Sequence, residues 1–271
     1  MSDHMATPEI PTIAKPSLLN ADLRRSGEGQ QVCWEATAPR NQRSVGRLLI
    51  IPGLTSPYHP KYLPVYRDTA QFIAGRGWEV AIFAARGQVG SGGAYSFPNA
   101  VEDALAVVDA WNENSNEHTP LALLARSSGC PIALRIASRR SDVQSLLLWG
   151  GSPRAVYDRL FGGDADGSYM QACIEYGTRM SADFVDTLFY PEEEIAYCNA
   201  PVTWLGLGTD DEYTTETEQV AMVKNSKAKH SALHIIPHCP HGVSSASPAW
   251  SSFRDMLDAW LTVTLGTCEG Q

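Results

Sequence analysis

A mostly parallel central sheet covered by helices on both faces, an α/β architecture, is what this sequence predicts. Two observations lead there. Short, near-continuous apolar runs recur along the chain, and segments with apolar residues at helical spacing lie between them. Strands buried on both faces lose the polar alternation of a half-exposed sheet, and helices between them mark parallel crossovers. At 271 residues the chain is long enough for one large core.

The strand candidates are Gln31–Ala38, Arg47–Pro52, Glu79–Ala84, Leu121–Ala125, Val143–Trp149, Val202–Leu207 and Leu233–Pro237. Helix candidates between and after them are Tyr62–Gly75, Asn99–Trp111, Cys130–Ser138, Glu216–Lys224 and Pro248–Leu265. In the second of these, Val101, Leu105, Val108 and Trp111 recur at steps of three and four, as one buried helix face requires. From Arg154 to Asn199 the alternation breaks, and the pattern turns irregular and aromatic, with an acidic run Glu192-Glu193-Glu194. The expected organisation is an N-terminal extension over 1–30, a core formed by 31–153 and 200–271, and a cap inserted at 154–199. Most of the cap's aromatic residues are expected to pack its own small core, with one or two lining a pocket.

Charge and cysteine usage exclude several functions. Twenty-one basic against thirty acidic residues give a formal charge of -9. That balance argues against nucleic acid and anionic membranes as partners. No apolar run approaches a membrane span, and the polar N-terminus lacks a basic-then-apolar leader, so a cytoplasmic protein is expected. Six cysteines without a C-x-x-C pair read as free thiols. His238-Cys239-Pro240-His241 has no second cluster to complete a zinc site, and Tyr95 stands where a dinucleotide glycine pattern starting at Gly90 needs its last glycine. No metal or organic cofactor is expected.

Ligands of open α/β sheets sit beyond the carboxyl ends of the strands, so the chemistry belongs in the loops there. After the strand at Leu121–Ala125 comes Ala125-Arg126-Ser127-Ser128-Gly129, a serine with small residues two before and two after it. A tight strand-to-helix turn needs those small residues because strand and helix approach closely, and it holds the serine hydroxyl above the sheet. Ser128 is rejected as the nucleophile because its corresponding flanks, Arg126 and Cys130, are larger. A serine nucleophile needs a base, and the base a carboxylate. His241, past the last strand and followed by Gly242, is preferred over His238 as base. The strand at Val202–Leu207 runs into Gly208-Thr209-Asp210-Asp211-Glu212, where Asp211 is the preferred acid and Asp210 the alternative.

The order Ser127, Asp211, His241 on an alternating chain resembles the α/β-hydrolase fold from about Arg47 onward. Gly208-Thr209-Asp210-Asp211 is similar to that family's G-x-x-D acid turn, and Pro237 to Gly242 to its terminal histidine loop. Arg86-Gly87-Gln88-Val89-Gly90-Ser91-Gly92-Gly93 resembles the R-G-x-G-x-S-x-G loop of the esterase, thioesterase and serine-aminopeptidase-like branch. Pro52-Gly53-Leu54-Thr55 stands where the family has His-Gly-x, and by that match the Leu54 and Ser128 N–H groups are the oxyanion donors. Tyr58 and His59, after the same strand, are expected to border the substrate. Pro52 in place of the histidine, Ala84 in place of an aspartate and one extra residue between Gly87 and Gly90 depart from the pattern. The activity implied is hydrolysis of a small-to-medium ester or thioester through an acyl-Ser127, the substrate being a free small molecule or a carrier-bound thioester. An acyltransferase or cyclase using the same three residues, a histidine-based lyase, and a ligand-binding homologue with little turnover are the alternatives.

Overall fold

The computed structural model describes residues 32–38, 43–113, 119–162 and 166–268. The extension expected at 1–30 lies outside them. Seven strands form one sheet: β1 (Cys33–Thr37), β2 (Gly46–Ile51), β3 (Trp78–Ala84), β4 (Leu121–Arg126), β5 (Val143–Trp149), β6 (Val202–Asp210) and β7 (His230–Pro240). They are ordered β1-β3-β2-β4-β5-β6-β7. Only β1 is antiparallel, pairing with β3 at the edge; the other five pairings are parallel.

The strands' alternate side chains build two cores. Leu49, Ile51, Leu123, Ala125, Leu146 and Leu148 face one core with α2 (Phe97–Glu113) and α3 (Gly129–Arg139). Leu48, Ile50, Leu124, Leu147 and Trp149 face the other, with α1 (Leu63–Ala74) and the C-terminal helix. On α2 the buried face is Val101, Ala104, Val107, Val108 and Trp111, with Leu105 packed at its margin. Pro64 enters α1 in its first turn, where no backbone donor is lost.

Between β5 and β6 the irregular segment is in fact largely helical: α4 (Arg154–Phe161), α5 (Ser168–Glu175) and α6 (Pro191–Glu194), with two 3-10 turns. These helices are too short for a sustained period, so aromatic packing rather than sequence rhythm holds them. Phe184 meets Tyr95, Phe97 and Phe161 at 5.2–6.2 Å between ring centroids. The acidic run is used as an anchor: Glu194 pairs with Arg135 of α3, and Glu193 with Arg154 at 2.6 Å. Then come α7 (Glu216–Asn225) and α8 (Trp250–Cys268). Thr215 and Glu218 close the start of α7 as a reciprocal capping box.

The chain leaves β2 for β3 on one side and returns to β4 on the other. Their following loops therefore part at the β2/β4 boundary, and the crevice so opened is where such sheets take ligands.

Candidate active site

Ser127 sits in that crevice with φ 53°, a left-handed conformation that a non-glycine residue adopts only under constraint. The constraint is visible on both sides. Its N–H donates to the Trp149 carbonyl at 2.8 Å, and its own carbonyl accepts from Cys130 N–H at 2.9 Å. A Cβ at Gly129 would lie 2.6 Å from the carbonyl oxygens of Ile51 and Pro52, so only glycine permits α3 to start so close to β2.

Asp211 and His241 come together because β6 and β7 continue as a ladder past the rest of the sheet. The paired ladder runs to Asp210 opposite Pro240, beyond the strand ends expected at Leu207 and Pro237. The Asp211 side chain is fully buried, and its Oδ2 lies 2.7 Å from His241 Nδ1. Its other oxygen accepts the N–H groups of Tyr213 at 2.9 Å and Thr214 at 3.3 Å. Asp210 is exposed and accepts from the Thr209 hydroxyl at 3.1 Å. His238, also at positive φ, is exposed, and its N–H donates to that same hydroxyl. Tyr213 packs edge-on against the His241 ring at 4.9 Å, and Trp149 Nε1–H donates to the His241 carbonyl at 2.9 Å.

Ser127 and His241 line one cavity of about 550 Å3, with Leu54, Tyr62, Tyr66, Tyr169, Tyr176 and Tyr213 also in its walls. Tyr169 and Tyr176 come from the insertion, as does Phe161 in a smaller recess beside Ser127. The structure does not bring Tyr58 and His59 into this cavity. Tyr58 turns under the loop, its hydroxyl donating to the Ile82 carbonyl at 3.1 Å. His59 packs outside against the rings of Tyr62 and Tyr176, and partial burial lowers its pKa. Tyr62, three residues on, takes the place expected of them because the chain turns at 56–62 before entering α1.

Among the described residues neither Leu54 N–H nor Ser128 N–H has a hydrogen-bond partner within the protein. The turn carrying Leu54 is braced on its carbonyl side. Thr178 of the insertion donates its hydroxyl to Leu54 O, and Gln88 Nε2 donates to Gly53 O at 2.9 Å. Gln88 is itself fixed, its Oε1 accepting from Ala85 N–H at 3.0 Å. The Tyr66 hydroxyl, kept neutral as burial raises its pKa, accepts from Gly53 N–H at 3.3 Å. Gly150 was also not foreseen: at φ 60°, a Cβ there would stand 2.8 Å from His241 Cε1 and 3.1 Å from Asp211 Oδ2. Its only sequence signal is a glycine at a strand's carboxyl end.

A hydroxyl on a strained turn, an imidazole held by a buried carboxylate and two idle N–H groups form a set able to attack a carbonyl and receive its oxyanion. Elsewhere, Arg86 has Asp103 of α2 as its partner at 2.6 Å, which supplies the carboxylate missing at Ala84. Among the described residues no group of His, Cys, Asp and Glu is arranged to hold a metal, and no helix is long and apolar enough to cross a membrane.

Residues 46–154 match the family model described as serine aminopeptidase, S33. No curated protein matches the sequence. Among solved structures, an esterase of Pyrococcus furiosus superposes with TM-score 0.71 at 15% identity, covering 95% of this chain and 96% of the esterase. A Paleococcus ferrophilus monoacylglycerol lipase gives 0.64 at 18% identity over 86% of this chain and 99% of the lipase. Est1E of Butyrivibrio proteoclasticus, solved with ferulic acid bound, gives 0.66 at 17% over 87% and 97%. Sheet order and these superpositions show the α/β-hydrolase fold, and residues 46–154 within it are similar to the serine aminopeptidase S33 model.

Proposed function

We propose that the protein is a serine hydrolase that cleaves a small-to-medium carboxylic ester or thioester through an acyl-Ser127 intermediate. One observation carries this reading: the Asp211–His241 pair, 2.7 Å apart, shares a cavity wall with Ser127 on its strained turn. His241 takes the Ser127 proton as the oxygen attacks the substrate carbonyl, while Asp211 fixes the ring and balances the imidazolium. Leu54 and Ser128 N–H groups receive the oxyanion. Its collapse breaks the bond to the alcohol or thiol, which leaves with the proton held on His241. Water then attacks the acyl-serine with His241 again as base, releasing the acid and restoring Ser127. A cavity of about 550 Å3 suits a substrate of modest size, free or at the end of a carrier arm.

Intact mass after exposure to a fluorophosphonate tests the reading. A single adduct, absent from Ser127→Ala, together with turnover of p-nitrophenyl or N-acetylcysteamine acyl esters, supports it. Folded protein that takes no adduct would replace it with ligand binding without turnover.

A further inference from the structure

A buried guanidinium stands next to the nucleophile with no anion beside it. Arg126 is 5% exposed, and among the described residues its side chain has no hydrogen-bond or ion-pair partner. Nε and Nη2 are sealed off without acceptors, which leaves Nη1 as the nitrogen on the open side. The titratable groups acting on it are Tyr66, Cys239 and Cys130, and burial raises the pKa of all three, so none offers a negative charge. The Asp211 carboxylate is committed to His241, Tyr213 and Thr214. Two rings pack on the guanidinium, Phe253 at 5.3 Å and Tyr66 at 6.0 Å. Such contacts offset part of what a cation loses on leaving water, and they satisfy none of its in-plane N–H groups.

The cavity reaches this cation. Consecutive strand residues point to opposite faces of a sheet, and Arg126 turns toward Tyr66 of α1 and Phe253 of α8. Val65 and Tyr66 of α1, and Gly242 and Ser244 of the loop after β7, line the cavity together with Arg126. The wall's other free-standing charges are Lys61, whose Nζ donates to the Tyr176 hydroxyl at 2.8 Å, and Glu212. Glu212 acts on Tyr169 and Tyr213 and not on Arg126. The α1 side of the cavity is therefore positive, in a protein whose formal charge is -9.

Taking the serine-hydrolase reading as given, we propose that the substrate carries a carboxylate, which Arg126 binds through Nη1 while the scissile carbonyl lies at Ser127. A carboxylate supplies the acceptor and the counter-charge that the guanidinium lacks, whereas a neutral chain supplies neither. Arg126 adjoins Ser127, so the two substrate groups are separated by no more than the reach of one arginine side chain. A short dicarboxylic acid esterified at one end meets that requirement, as does a short acyl group carried on a hydroxy or mercapto acid.

Binding to Ser127→Ala measures this without turnover. Calorimetry would compare N-acetylcysteamine thioesters of pentanoic acid, of glutaric acid, and of glutaric acid with its free carboxyl methylated. A second set, S-butanoyl 3-mercaptopropionic acid and its methyl ester, places the charge on the leaving side. In one of the two sets the anion should bind about tenfold or more tightly than its neutral counterparts, the gain of a charge-assisted hydrogen bond. Adding Arg126→Gln should remove that preference, and Arg126→Lys, which keeps the charge, should retain part of it. Equal binding within both sets overturns the proposal and leaves Arg126 as a packing cation held by its two rings. That comparison needs no change at Arg126, so it stands even where an Arg126 variant fails to fold. A preference that survives Arg126→Gln also overturns the proposal and moves the anion to Lys61. Fluorophosphonate labelling of the natural protein judges the hydrolase reading separately, so failure of either can be told from failure of the other.

Discussion

A Cβ on Gly150 would stand 2.8 Å from Cε1 of His241, closer than side chains approach one another. The His241–Asp211 pair is therefore seated against bare backbone at the end of β5. Gly150→Ala should displace the imidazole and strain a residue at φ 60°. We expect kcat to fall by about 100-fold or more, since small misplacements of a reacting group cost that much. Steady-state kinetics beside circular dichroism would check it; a well-folded variant with natural kcat would show that His241 tolerates the shift.

The two neighbouring aspartates should separate cleanly. Asp211 has its carboxylate buried with three hydrogen-bond partners, whereas Asp210 faces solvent. Asp211→Asn should cost about 10⁴ in kcat by favouring the wrong imidazole tautomer, as in serine proteases. Asp210→Asn should stay within about threefold, the range of a surface change with no buried partner. The reverse order in a kinetic comparison would move the acid by one position.

The sheet was legible because its signals are local. A run such as Leu121–Ala125 is apolar throughout because both faces of the strand are covered, and the small-x-Ser-x-Gly pattern states a steric need of the turn itself. Asp211 and His241 were reachable because each follows a recognisable strand. What brings Tyr62 rather than Tyr58 into the cavity is the path of a loop, and no periodicity encodes that. Thr178 was beyond reach for a different reason. It meets Leu54 across 124 residues, and threonine in an aromatic insertion carries no mark of such a role. The short helices between β5 and β6 escaped because tertiary packing, not amphipathic rhythm, defines them.

That long-range contact has a kinetic consequence. Thr178 and Gln88 hold the carbonyl side of the turn that carries Leu54 in the cavity wall, so on the proposed mechanism they would position an oxyanion donor without touching substrate. Thr178→Val keeps the shape and removes the hydroxyl. Complete loss of one oxyanion donor costs about 10²–10³ in rate, and loosening one should cost a part of that, about tenfold. The loss should appear in kcat with KM nearly unchanged, and Thr178→Ser should restore most of it. A change confined to KM would assign the contact to substrate binding instead.

Cysteine chemistry gives a last discrimination, because a thiol also stands in the cavity wall. Cys173 lines the cavity yet is 1% exposed, and burial pushes its pKa up to about 12. At pH 8 its thiolate fraction is about 10⁻⁴, and the thiolate is the reactive form. Iodoacetamide at pH 8 should leave ester turnover intact over the time in which fluorophosphonate abolishes it. Cys173→Ala should then retain both fluorophosphonate labelling and the bulk of the activity. Rapid inactivation by iodoacetamide, with the label mapped to Cys173 and lost in Cys173→Ala, would mean that the thiol is ionised in the working enzyme. The nucleophile would then have to be sought at Cys173 and no longer at Ser127.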